Sequence, residues 1–162
     1  MNTKKQKVLH RGEGFTLIEI LVVIGLVAIL AAIVIIAINP ARQFAQGRNS
    51  QRTANVNAIL NAIGQNIADN KGVFNCTTYP LPANTAVKNI DDANANIHGC
   101  IVPTYMPEIP FDPSLAGAHV TNATDYDTKY TVETNAAGRV KVCAPGGVEA
   151  AIPGSIAICV ER

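Results

Sequence analysis

The chain has 162 residues, enough for one compact domain plus one extended element, and its formal charge of +1 conceals a steep asymmetry. Lys4, Lys5, Lys7 and Arg11 against Glu13 give the first fourteen residues a net +3 and leave the remainder at −2. A mildly acidic body excludes the basic patch that a nucleic-acid-binding domain needs, so no specific nucleic acid is expected as a partner.

After the basic leader the charge disappears. Residues 20–38 hold no charged side chain, and the apolar run as a whole extends from Phe15 to Ile38. A basic stretch followed by an apolar run is the pattern of an export signal. This run is longer than the core of a cleaved signal peptide, and it ends in Ile35-Ile36-Ala37-Ile38-Asn39-Pro40 with no small-x-small cleavage site. As a helix, Ile20 to Ile38 would extend about 28 Å, close to the roughly 30 Å of a bilayer's hydrocarbon. The segment is therefore expected to span a membrane. The leader should stay cytoplasmic, with everything beyond Pro40 outside.

Glu19 breaks the apolar run one helical turn from its start. An ionisable group in a spanning segment costs on the order of 2.5–3.5 kcal/mol at full depth and less near the interface. Either Glu19 sits at headgroup level, or it awaits a cation in a drier environment. A cut after Gly14 would create such a cation, the α-amino group of Phe15, on the same chain or on a neighbour.

Gly14-Phe15-Thr16-Leu17-Ile18-Glu19, preceded by a short basic leader and followed by a long apolar helix, resembles the type IV prepilin signal. The likeness covers residues 1–72. It implies cleavage between Gly14 and Phe15 by a prepilin peptidase, N-methylation of Phe15, and guidance of subunit docking by Glu19. It also implies as partners the lipid of the inner membrane, the pilus assembly platform with its motor, and further copies of the chain.

Past Asn39-Pro40 the sequence becomes amphipathic. Pro40 lacks a backbone donor and disfavours helix at Asn39, so a helix break is expected there. Val56, Ile59, Leu60, Ile63 and Ile67 recur at three- and four-residue spacing as one apolar stripe. Asn49, Gln51, Asn55, Asn57, Asn61, Gln65 and Asn66 are expected on the opposite surface, and Arg42, Arg48 and Arg52 on a solvated or inter-subunit face. Gly72 after Lys71 marks the expected helix end.

Strand patterns come late. Tyr130 and Val132 alternate with polar residues over 128–134, and Val140 and Val142 alternate with Arg139 and Lys141. Between them Asn135-Ala136-Ala137-Gly138 reads as a hairpin turn. A third strand is expected through Ile156, Ile158 and Val160. Three strands packed on the 56–67 stripe give an α+β fold: a long N-terminal helix, membrane-spanning then amphipathic, against a small antiparallel sheet. Type IV pilin heads share that plan, and the Pro-Phe-Asp-Pro loop at 110–113 is similar to that of some small bacterial pilins. The expected divisions are a leader over 1–14, a membrane or filament-core helix over 15–39, an amphipathic helix over 40–72 and a β-rich head over 73–162.

Four cysteines follow the apolar stretch, an even number that in an exported domain points to two disulfides. Cys143 shares a face with Arg139 and Lys141, and Cys159 occupies the matching face of the last strand. Antiparallel neighbours place such residues within bridging distance. Cys76 and Cys100 then pair by elimination, closing a loop worth on the order of 3 kcal/mol in the chain-entropy model.

Catalytic chemistry is not expected. His10 lies in the leader, and His98 beside Cys100 is badly placed for mutual activation. Asp112, Asp125 and Asp127 could meet around calcium, but without EF-hand spacing they read as turn residues. No metal and no cofactor is expected. Asn75-Cys76-Thr77 and Asn122-Ala123-Thr124 match the glycosylation sequon. The leading expectation is a structural subunit of a type IV pilus, membrane-inserted as a precursor and extracellular once assembled. The alternatives are a pseudopilin or minor pilin of a type II secretion-like system, or an uncleaved membrane-anchored extracellular binding domain.

Overall fold

The computed structural model describes residues 14–81 and 83–162. His10 and the leader cations Lys4, Lys5, Lys7 and Arg11 lie outside the described residues. The chain divides into two units, one running to Pro40 and the other from Ala41 to Arg162.

The first unit is helix α1 (Leu17–Ile38). It has no polar face, and every described side chain in it is exposed, a surface better suited to an apolar environment than to water. A window over Leu17–Ile35 is long and apolar enough to cross a bilayer. The helix stops because Asn39 turns into the left-handed region at φ 46°. Asparagine tolerates that conformation better than most residues. Pro40 then opens helix α2 (Pro40–Asp69), where its missing N–H has no helical acceptor to lose.

The second unit is built on α2. Val56, Ile59, Leu60 and Ile63 are buried, and Ile67 packs at the margin of the same core. Helix α2 ends at Asp69, before the expected Gly72. Lys71 (φ 59°) and Gly72 (φ 89°) carry the closing turn, and the Gly72 N–H donates back to the Ile67 carbonyl at 2.9 Å.

The sheet has five antiparallel strands where three were expected: β1 (Lys88–Asp91), β2 (His119–Asn122), β3 (Asp125–Thr134), β4 (Val140–Ala144) and β5 (Ile158–Glu161). The order is β1-β3-β4-β5, with β2 also paired to β3. Strand β3 buries Tyr126, Thr128, Tyr130, Val132 and Thr134 in strict alternation, and β4 adds Val140, Val142 and Ala144. These faces close on the α2 stripe as an α+β, type IV pilin-like arrangement. Strands β1 and β2 are four residues each and mostly polar, so neither alternation nor β-branched enrichment marks them. The stretch between Cys76 and Pro110 also supplies core, through β1, the short helix α3 (His98–Ile101) and the buried Ile90, Ala95, Ile97, Ile101 and Ile109.

Three expectations are corrected. The last strand begins at Ile158, and Ile156 is 77 % exposed in the preceding loop. That loop is pinned to itself, the Glu149 N–H donating to Ser155 Oγ at 2.8 Å and the Ser155 N–H to the Ile152 carbonyl at 3.1 Å. Asn66, expected on the polar surface, is buried because it satisfies loop backbone. Its amide donates to the Asn75 and Cys100 carbonyls and accepts from the Asn75 N–H. Arg52, expected in solvent, is 1 % exposed, for the reason given below.

The burial contrast yields a test. Ile59→Ala should cost ~2–5 kcal/mol in unfolding of the detergent-held chain, whereas Ile156→Ala should stay within about 0.5 kcal/mol.

Candidate functional site

Two constellations stand out, one in each unit. At the N-terminus, Thr16 is the extended N-cap of α1 and Glu19 its third helical residue. The Glu19 N–H donates to Thr16 Oγ1 at 3.3 Å, while the Thr16 N–H (3.3 Å) and hydroxyl (3.2 Å) donate to Glu19 Oε2. This reciprocal capping box satisfies two backbone donors that the helix would otherwise leave bare. It also gives the carboxylate a local partner at Oε2. The Thr-x-x-Glu spacing ahead of an apolar run is the sequence sign of this box. Gly14 and Phe15 precede the cap, both exposed, and the Phe15 ring is 81 % accessible.

In the second unit a buried ionic cluster fastens two loops to α2. Arg52 Nε donates to Asp112 Oδ2 at 2.7 Å and Nη2 to Asp112 Oδ1 at 3.0 Å, a bidentate pair buried on both sides. The same guanidinium reaches Ser114 Oγ at 2.7 Å, Asn49 Oδ1 at 2.8 Å and Glu149 Oε1 at 2.5 Å. Arg48 completes the cluster with a second bidentate grip on Glu149, 2.7 Å at each contact. Arginine can be buried here because five donors meet acceptors on all sides, which a single-point ammonium could not achieve. Gly146 closes over the pair, and a Cβ added there would lie 2.6 Å from Asp112 Oδ2.

The charges respond accordingly. Burial pushes the Asp112 carboxyl up, but Arg52 and the Ser114 and Leu115 N–H groups outweigh it and hold it below the ordinary range. Glu149 is brought down to about 2, chiefly by the hydrogen bonds from Arg48. The Arg52 guanidinium is held more firmly protonated by Asp112, against its own desolvation.

The remaining candidates part company. Asp112 is committed to Arg52, Asp125 lies 3.2 Å from His119 Nε2, and Asp127 pairs with Lys129. Among the described residues no group of three or more His, Cys, Asp and Glu could hold a metal ion. His98 faces Glu108 at 3.3 Å and packs on Tyr126, away from any free thiol, since Cys100 is bonded to Cys76. The second bridge joins Cys143 and Cys159, which face one another across β4 and β5 with Cα atoms 4.1 Å apart.

A family model described as the prokaryotic N-terminal methylation motif matches residues 10–38. The match covers Gly14, Phe15, the capping box and all of α1, and it is the signature of type IV prepilins and pseudopilins. Together with the α+β arrangement of the body, the match supports a type IV pilin-like or pseudopilin kinship, and the matched segment contains the helix that is long and apolar enough to cross a membrane. No curated protein and no solved structure matches the chain.

Two outcomes test the ionic cluster. Gly146→Ala should destabilise the chain by ~1–3 kcal/mol through overpacking, read from urea unfolding in detergent. Asp112 and Glu149 are both depressed, so their stabilisation is complete above the ordinary carboxylate range. It drains as pH falls from about 4.5 toward about 2. Melting temperature should therefore be flat down to that window and fall within it, and Arg52→Leu should abolish much of the fall.

Proposed function

We propose that the chain is a structural subunit of a type IV pilus, made as a membrane-held precursor and assembled into a helical surface filament. The observation that carries this reading is a methylation-type motif joined to an apolar helix whose described side chains are all exposed and whose one ionisable residue is Glu19. Prepilin peptidase cuts after Gly14, and the new Phe15 amine is methylated. The assembly platform and its motor then lift the subunit from the inner membrane into a bundle where apolar helices bury one another. Because lipid is as apolar as the bundle, close packing of the helices against one another, rather than transfer out of water, holds them together.

Within that bundle Glu19 accepts the Phe15 amine of a neighbouring subunit and fixes axial register. An unpaired carboxylate in hydrocarbon is costly, so a subunit docked out of register would be rejected by several kcal/mol, on the order of the desolvation penalty. The capping box holds the carboxylate beside the helix start before docking. The Asn39-Pro40 break separates the filament-core helix from the helix carrying the head, and the two disulfide-stapled loops belong to the outer surface. The role is mechanical, with no catalytic step assigned to any side chain.

Glu19→Ala should leave membrane insertion and cleavage intact while reducing surface filaments to a small fraction of the parent. Filaments of normal number and length from that variant, counted by electron microscopy, would overturn the register role.

A further inference from the structure

One apolar surface of the second unit serves neither its core nor the ionic cluster. Phe44 is 70 %, Val148 63 % and Ile156 77 % exposed, three of the four most exposed large apolar side chains described in that unit. Contacts on either side bring them to one end of it. Phe44 stands one helical turn before Arg48 on the same face of α2, and Arg48 grips Glu149, the residue after Val148. The Asn49 amide donates to the Gly147 carbonyl at 3.0 Å, and the Ile156 backbone passes so close to Gly147 that a Cβ there would meet its carbonyl at 2.9 Å. The patch thus gathers around the first turns of α2.

We infer that this patch rests on the lipid surface at the outer face of the membrane before the subunit is assembled. The inference depends on the reading of α1 as a membrane span. Phe44 is only six residues past Ile38, a reach of at most about 21 Å of chain, so the tether keeps the patch within range of the headgroup layer that flanks the hydrocarbon. Phenylalanine, valine and isoleucine side chains gain by entering that boundary to a depth of about 5–10 Å. The charges beneath do not oppose it. Arg48 and Arg52 neutralise Glu149 and Asp112 among themselves, so the patch presents no uncompensated carboxylate to anionic lipid. The fourth exposed residue, Val73, lies past the far end of α2, about 38 Å of helix from Phe44, and so stands apart from the patch. Three side chains form too small a surface for a stable contact between two copies, whereas a lipid surface already tethered by the chain needs little added affinity. Parking the head in this way restrains it until extraction.

The chain has no tryptophan, so single reporters are clean. Phe44→Trp, Ile156→Trp, Val73→Trp and Leu26→Trp would each be placed in the full chain. Each would be reconstituted into vesicles of phosphatidylcholine and phosphatidylglycerol whose acyl chains are unbrominated, brominated near the headgroup or brominated deeper in the chain. The expected result is blue-shifted emission from Phe44→Trp and Ile156→Trp, quenched several-fold more by the brominated lipid than Val73→Trp. Strong quenching of Leu26→Trp by deeper bromines, with Phe44→Trp and Ile156→Trp no more affected than Val73→Trp, would overturn the inference and leave the span standing. Unquenched Leu26→Trp would remove the span and the inference together. A blue shift without quenching, growing with protein-to-lipid ratio, would assign the patch to a second copy and would also overturn it.

Discussion

Helix α1 is solvated by nothing in water. Beyond Glu19 it offers an apolar surface with no polar side, and each of its described side chains is exposed. Lipid and the flanks of identical helices are the two environments that suit such a surface, because both are as apolar as the helix and neither demands backbone hydrogen bonds from it. Helix α1 meets that demand within itself and closes its first turn with the Thr16–Glu19 box. The rest of the molecule follows from keeping such a helix and a water-soluble head on one chain. A single left-handed residue, Asn39, followed by Pro40 ends one helix and starts the next without a long linker.

The head is stabilised where its sheet and helix leave loops to be fixed. Four-residue strands and a long irregular stretch between Phe74 and Ala118 supply few ladder bonds of their own. The Cys76–Cys100 bridge and Asn66 fasten one end of that stretch, and Arg52 with Asp112 fastens the other. The same arginine takes Glu149 from the loop before β5, so one buried cation ties two distant loops to α2. Removing either partner of such a pair strands a buried charge, which makes the cluster a point of cooperativity as well as of strength.

Much of this was legible in the sequence, and what was not has identifiable causes. The apolar run, the 56–63 stripe and the β3–β4 hairpin are written in strong periodicities. The burial of Arg52 and Asn66 is written there too, since continuing the stripe one turn back from Val56 reaches Arg52 and one turn forward from Ile63 reaches Asn66. Their polarity concealed a position that their spacing disclosed. Strands β1 and β2 were hidden because their partners, not their composition, make them strands: Lys88, Asn89 and Asp91 find register against β3. Ile156 misled in the opposite sense, an apolar residue in phase with a strand that begins two positions later. The capping box was present as Thr-x-x-Glu, but the carboxylate drew the reading toward distant cations before its neighbour three residues away.

The central claim is that the leader is removed and that the residue exposed by the cut begins the filament helix. It is tested most directly by mass spectrometry of the N-terminal peptide from protein sheared off the cell surface. The account predicts a peptide that begins at Phe15 and carries one added methyl group. A peptide from surface material that still carries residues 1–14 would contradict it, leaving an uncut anchor and no filament.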